Sequence, residues 1–509
     1  MTQAAGARDD VSEFSCPLPH TPLCDLLGCR LPLILAGMGG VARAELVAAV
    51  THAGGFGFLG MVREPLALIE AQVREVRELL GKEKDRRFGV NLIPAGTAPE
   101  LLQQQVQLCI DLEVPVVGLF WDVRRDVIDR LRAAGITVVH QVGSVAQALE
   151  AQEAGAHALI VQGVEAGGHV YGKQPLEQIL AQVLAVVDIP VAAAGGIANG
   201  QDVARLLSHG AQAAVLGTAL MATKESFAHE YHKQRIVQAR ARDTVLTEDF
   251  HVNWPPHAAV RVLRNSVTQG ERGDPHTQTA RQVIGDEEGR PIHLFSTDSP
   301  LRSMTGDFEA MALYAGLGVE HIDTIPAAAE RMESIMRQAG AEWRRLHPAE
   351  VELSSPVCYA PEFERARHAE LITRLNELLE AERAGVRVTV QTLAQTHDPA
   401  TRELVQAVHH DEVQWCAMLL HAIRDMGGKS STHTGDFFQK AMAVPDVDER
   451  LAFLNRGQGW VARKVRELLA MVEDPALSRN LTHMLDSHVE NLDKVNRHLD
   501  KSQPPHEKK

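Results

Sequence analysis

From about residue 31 to 221, short apolar runs alternate with amphipathic stretches. The runs are LPLILAG (31–37), GFGFLG (55–60), RRFGVNLI (86–93), VPVVGLFW (114–121), ITVVHQV (136–142), HALIVQG (157–163), IPVAAAGG (189–196) and QAAVLGTAL (212–220). Continuous rather than alternating apolar residues predict strands buried on both faces of a parallel sheet. Between them, AELVAAVTHAG, PLALIEAQVREVRELLG and DVARLLSHG repeat apolar residues at helical spacing, several closed by a C-capping glycine. Eight such units in succession predict a closed (β/α)8 TIM barrel of the α/β class. A doubly wound open sheet is the alternative, but it needs no eighth strand. Residues 222–345 are less regular and read as an insertion with closing helices over the barrel mouth.

The pattern changes after HPAEVELSSPVCYAPEF (347–363), whose three prolines mark a linker. Four long helical stretches come next without any strand signal: AELITRLNELLEAERAGVRVTVQTLAQ, PATRELVQAVHHDEVQWCAMLLHAIRDMGG, VDERLAFLNRGQGWVARKVRELLAMVE and PALSRNLTHMLDSHVENLDKVNRHLD. They predict an all-α four-helix bundle. The expected organisation is an arm (1–24), the barrel with its insertion (25–346), the linker (347–363), the bundle (364–502) and a tail (503–509).

A length of 509 residues agrees with more than one domain. The net charge of -15, with no basic stripe, argues against nucleic acid and anionic membranes as partners. No apolar stretch approaches a membrane span, and MTQAAGARDDVSEF lacks the features of a secretory signal. Cys16, Cys24, Cys29, Cys109, Cys358 and Cys416 form no CxxC pair, so reduced thiols in a cytoplasm are expected, although Cys24 and Cys29 lie close enough in sequence to meet.

Catalytic groups of such a barrel sit at the C-terminal ends of its strands, with phosphate bound by the loops after strands 7 and 8. Those loops carry Gly195-Gly196 and Gly217-Thr218. Glycines let backbone N–H groups approach phosphate oxygens, and a following helix N-terminus adds a favourable dipole. The densest signal ends strand 6, in Gln162-Gly163-Val164-Glu165-Ala166-Gly167-Gly168-His169. Paired glycines let the backbone pass close to a flat ligand, over which a histidine able to move a proton would project. A surface loop histidine is the plainer alternative, as for most of the 24 histidines.

QGVEAGGH, with AAGGI and VLGTAL after it and AGMGG and GVNL before it, resembles the nitronate monooxygenase (2-nitropropane dioxygenase-like) family of FMN-dependent barrel enzymes. The resemblance spans roughly residues 25–340, including NWPPHAAVRVLRN and MALYAGLGV. It implies that Met38 lies against the flavin ring, that Asn91 reaches its polar edge and that Gln162 hydrogen-bonds it. Gly167 and Gly168 would line the flavin, while Gly195, Gly196, Gly217 and Thr218 would hold the phosphate. His169 matches the catalytic histidine. The implied substrates are a small alkyl nitronate and O2, with a carbonyl compound and nitrite as products. Tyr314 is expected to close the pocket or to serve as a core tyrosine. Two departures touch the substrate side: Ala-Gly-Met replaces the usual Ala-Pro-Met, and Leu317 replaces the usual glutamine. A flavin-dependent NAD(P)H reductase of enoyl-thioester or quinone type is the alternative within the same fold.

The bundle resembles ferritin-like domains in length and helix order. Metal-binding members use glutamates and Glu-x-x-His motifs facing inward. Here Glu382, His409-x-x-Glu412, Glu467, His483-x-x-Asp486 and His488 give reversed orders and no strict motif. No metal ligand is assigned. The bundle is expected to serve a homo-oligomer or partner interface. A ligand-binding barrel with the bundle as a partner or metal module is the third reading.

Overall fold

The computed structural model describes residues 18–81, 87–255, 257–275, 282–348, 362–431, 433–434 and 436–502. Most of the expected arm and linker, the tail 503–509, Cys16 and Cys358 lie outside the described residues. Eight parallel strands close a barrel: β1 (Leu33–Leu35), β2 (Phe56–Gly60), β3 (Gly89–Leu92), β4 (Val116–Phe120), β5 (Thr137–Val142), β6 (Ala158–Gln162), β8 (Val191–Ala194) and β9 (Ala213–Leu216). Closure is by β9 onto β1, with Ile34 opposite Val215. The intervening β7 (Gly168–His169) stands outside the barrel.

Alternation along each strand divides two cores. Phe56, Phe58, Val116, Val139, Ile160, Ala192 and Val215 fill the barrel interior. Their neighbours Leu59, Val117, Val138, Leu159, Val161, Ala193 and Leu216 face the helical layer. This two-sided burial is why the strands read as unbroken apolar runs. Phe58 occupies space left by Gly89 and Gly118, where an added Cβ would lie 2.5 and 2.9 Å from its ring. At the N-terminal end, the helix Pro22–Leu27 plugs the barrel with the buried Leu23 and Leu27.

Three outer helices brace the barrel and carry its contacts to the rest of the chain: α1 (Leu176–Val186), α2 (Gly200–Ser208) and α3 (Ala328–Leu346). Helices α2 and α3 cross so closely that a Cβ on Gly200 would lie 2.2 Å from Ala339 N and Ile335 O. Gly200→Ala should therefore destabilise the barrel by about 1–3 kcal/mol through overpacking. Denaturant unfolding measures this, and an unchanged midpoint would refute the close crossing.

The region expected to be irregular contains two antiparallel sheets. One joins β10 (Thr244–Thr247), β11 (Val260–Leu263) and β7. The other joins β12 (Val283–Glu287), β13 (Arg290–His293) and β14 (Met304–Gly306). The second escapes a sequence reading because its strands are polar and largely exposed, Val283 at 57%.

The C-terminal helices α4 (Glu362–Gln395), α5 (Pro399–Asp425), α6 (Val447–Leu469) and α7 (Pro475–Ser502) form the bundle, with α4 packed on α5 and α6 on α7. A short helix, Phe437–Met442, lies against α4 and α6. The bundle docks on the barrel through α4 and α5 against α1. One apolar cluster runs through the junction, from Leu180 and Val183 to Leu379, Val386 and Leu419. Arg424 on α5 donates to Leu207 O (2.8 Å) and Ser208 O (2.5 Å), the last carbonyls of α2, where a cation also complements the helix dipole. Cys24, Cys29, Cys109 and Cys416 are free thiols. No described helix is long and apolar enough to cross a membrane.

Candidate active site

The C-terminal ends of the strands open into a cavity of about 980 Å³. Met38, Asn91, Gln162, Gly167, Gly168, His169, Gly195, Gly196, Gly217 and Thr218 all border it. The loops that carry them interlock through glycines. A Cβ on Gly37 would lie 2.3 Å from Asn91 Cβ, and one on Gly60 would lie 2.0 Å from Met38 O. Opposite, the turn after β8 needs Gly195 at φ 127° and Gly196 at φ 68°, conformations that L side chains rarely adopt. The Thr218 hydroxyl accepts from Gly316 N at 3.0 Å, tying the loop after β9 to the chain that leads into α3. Gly168 has nothing within 4 Å of an added Cβ, and Gly217 has only Ala36 Cβ and Met38 Sδ at 3.9 Å. Bare backbone thus faces open space on two sides of the cavity, the surface that a flat ring system and a phosphate require.

His169 lies on β7, opposite Val260 of β11. Gln162 fixes this segment: its Nε2 donates to His169 O (2.9 Å) and its Oε1 accepts from Tyr171 N (3.1 Å). The amide keeps one N–H and one lone pair for a ligand. The loop before His169 is anchored by Arg261, which donates to Val164 O (2.8 Å), and by Glu165, which accepts from Leu176 N (3.0 Å). The imidazole lies on the Trp254 ring at 3.6 Å between centroids and 5.5 Å from Tyr314. Its Nε2 is sealed from solvent and has no hydrogen-bond partner among the described residues. Burial, reinforced by the Arg63 charge, presses its pKa down to about 3, so the ring is neutral at neutral pH.

Around His169 stand Tyr314, named in the sequence analysis, and several residues that the sequence did not single out. Trp254, on the cavity wall, meets Trp121 edge-on at 5.7 Å. Arg63, just after β2, donates to Asn253 O (2.7 Å) and Thr297 Oγ1 (3.2 Å). The Tyr314 hydroxyl donates to Thr297 O at 2.7 Å, and burial raises its pKa far above the ordinary phenol value. Arg63, Trp121 and Asn253 all hold positive φ (59°, 81° and 69°), an unfavourable state for non-glycine residues that clusters at functional sites. The signal available for Arg63 was its place at the C-terminal end of a barrel strand, and for Trp254 the segment NWPPH.

In the bundle, Glu382, Glu412 and His488 converge in the core, all buried. His488 Nε2 and Glu382 Oε1 are 2.9 Å apart, and Gln458 Nε2 donates to Glu412 Oε1. Gly385 on α4 makes room, since a Cβ there would lie 2.3 Å from Glu412 Oε2. Burial and mutual repulsion raise Glu412 well above the ordinary carboxyl range, and burial takes Glu382 to about 8. The other residues of the sequence pattern lie elsewhere: His409 contacts Thr389 Oγ1 (3.0 Å), Glu467 pairs with Lys464 (3.4 Å) and His483 meets Trp415 edge-on. Among the described residues, no three His, Cys, Asp or Glu side chains are arranged to hold a metal ion.

The closed parallel barrel gathers the glycine-bearing strand ends and His169 around one cavity, where barrels of this class carry their chemistry. The nitronate monooxygenase family model matches residues 20–100 and 93–338, and the chain belongs to that family. Residues 369–497 match a domain of unknown function, DUF6306. A (3aS,4S,5R,7aS)-5-hydroxy-7a-methyl-1-oxo-octahydro-1H-indene-4-carboxyl-CoA dehydrogenase of Mycobacterium tuberculosis is 31% identical over 63% of this chain and 96% of its own length. A probable nitronate monooxygenase of Staphylococcus aureus is 29% identical over 56% of this chain and 92% of its own. Among solved structures, FabK from Thermotoga maritima superposes with a TM-score of 0.56 at 29% identity, covering 65% of this chain and 99% of that one. A nitroalkane oxidase from Streptomyces ansochromogenes gives 0.52 at 31% identity, covering 64% and 99%.

Proposed function

We propose that this chain binds FMN and oxidises small alkyl nitronates with O2, giving a carbonyl compound and nitrite. The observation that carries the reading is the neutral His169, stacked on Trp254 at the wall of the glycine-lined cavity. The glycines at 195, 196 and 217 with Thr218 would hold the phosphate, and Met38, Asn91, Gln162, Gly167 and Gly168 the ring system. FMN, when bound, supplies an acceptor for the substrate's electrons. The chain's own residues bind and orient. A neutral imidazole at the cavity wall can donate to a nitronate oxygen or accept the α-proton of a nitroalkane, depending on its tautomer. The Trp254 ring covers one face of the imidazole.

The relatives named for a CoA dehydrogenase and for FabK support a second reading, an NAD(P)H-dependent reductase of a thioester. Against it stand Glu75 and Glu288 along the same cavity, which would repel the phosphates of a coenzyme A tail. An aerobic assay of the FMN-loaded chain with propionate 3-nitronate, following oxygen and nitrite, is expected to show both change together. A protein that does neither but loses its yellow colour on adding NADH or NADPH supports the reductase instead. We further propose a cytoplasmic enzyme that associates with copies of itself through the bundle, to be checked by its mass in solution with and without residues 362–509.

A further inference from the structure

Three guanidinium groups line the cavity: Arg43, Arg63 and Arg290. Two are neutralised. Arg43 pairs with Glu64 at 3.3 Å, and Arg290 pairs with Glu287 at 2.6 Å and Asp298 at 3.1 Å. Among the described residues, Arg63 has no carboxylate partner; its hydrogen-bond acceptors are neutral, Asn253 O and Thr297 Oγ1. Those contacts use two of its five N–H donors, leaving three. They also fix where the head sits. Asn253 adjoins Trp254, on which His169 lies, and Thr297 O receives the Tyr314 hydroxyl, whose ring is 5.5 Å from His169. Arg63, Thr297, Tyr314, His169, Trp254 and Asn253 thus form a ring around one part of the cavity. The charge of Arg63 is felt at both His169 and Tyr314.

We propose that Arg63 is the specificity-determining anion receptor of this cavity, holding a planar two-oxygen monoanion between its guanidinium and the His169 ring. A fixed guanidinium with free N–H groups matches two coplanar oxygens, as in a nitronate or a carboxylate. The unpaired carboxylates of the cavity wall limit the charge such a ligand can carry. A small monoanion satisfies Arg63, whereas a polyphosphate tail meets Glu75 and Glu288. The inference rests on the nitronate reading for the choice between the two oxygen pairs, but not for the presence of the receptor.

The test uses the full chain loaded with FMN. Nitrite and propionate are titrated separately, and their dissociation constants are read from the change in the visible flavin bands, without turnover. Arg63→Gln should weaken both by ~10–100-fold, the range of a lost charge-assisted contact, with Arg63→Lys falling between it and the parent. With propionate 3-nitronate as substrate, KM should rise by a similar factor while kcat stays within a few-fold. Coenzyme A should not compete with nitrite for the parent. If Arg63→Gln fails to retain flavin, Arg63→Lys alone decides the matter, through weakened or unchanged anion binding. Unchanged binding in both variants, or a parent that perturbs with neither anion, overturns the proposal. Anion binding that depends on Arg63 in a protein inert toward nitronates leaves the receptor standing and removes the nitronate reading. Nitronate turnover with an unaltered KM in the variants does the reverse.

Discussion

Replacing His169 by asparagine should leave the flavin content unchanged and cut kcat/KM for a neutral nitroalkane by ~10²–10³, within the range expected for a lost proton acceptor. The loss for a preformed nitronate should be nearer tenfold, because its α-proton is already gone and only a positioning contact disappears. The reasoning starts from the environment of the ring. Nε2 is buried without a partner, the face rests on Trp254, and burial with the nearby Arg63 charge holds the pKa to about 3. So weak a base removes a carbon-bound proton poorly, and the parent itself should prefer nitronates. The same pKa affects stability. The folded state keeps this ring neutral while an unfolded chain would protonate it near 6.5, so the contribution is intact above that pH and is lost as pH falls toward about 3. Steady-state kinetics with nitroethane and its nitronate, measured side by side, check the ratio. Equal losses on both substrates would reduce His169 to a packing residue.

The second large effect lies in the bundle and has the opposite pH sign. Burial, and for Glu412 the neighbouring carboxyl as well, opposes ionisation of Glu382 and Glu412. For Glu382, the unfolded chain releases the proton above about 4.5 and the folded state only near about 8. Stability is therefore lost as pH climbs through that window, at about 1.4 kcal/mol per pH unit for this carboxyl. His488, buried and biased toward neutrality, opposes this only below its ordinary value. Glu382→Gln should then raise the melting temperature at pH 8 by several degrees, since it removes a carboxyl that resists ionisation, and change it little at pH 5. Circular dichroism melts at the two pH values test this. A fall of similar size at both would mean that Glu382 is ionised in the fold, paired with a cationic His488.

Legibility in the sequence depended on which forces are local. Buried parallel strands must be apolar on both faces, so IPVAAAGG and HALIVQG announced themselves, and the glycine loops did so because no other residue allows the approach seen at Gly195 and Gly196. The sheet built on β7 stayed hidden because two residues carry no periodicity; β7 exists only through its pairing with β11, some 90 residues later. Arg63 was hidden for a different reason. In sequence it is one of 51 cationic residues, and nothing separates it from Arg43 or Arg290 until the fold gives those two their carboxylates. In the bundle, Glu382 and His488 were visible as residues, but their direct contact depends on the packing of α4 against α7.

The five tryptophans are distributed in a way that suits spectroscopy. Trp254 lies on the cavity wall with Trp121 against its edge, whereas Trp415 and Trp460 belong to the bundle and Trp343 to α3. Ligand entry at the barrel mouth will alter the emission of the first pair, and loosening of the bundle will alter that of the second. Single Trp→Phe replacements would separate the two contributions to the emission and show which half responds to a given compound, temperature or pH.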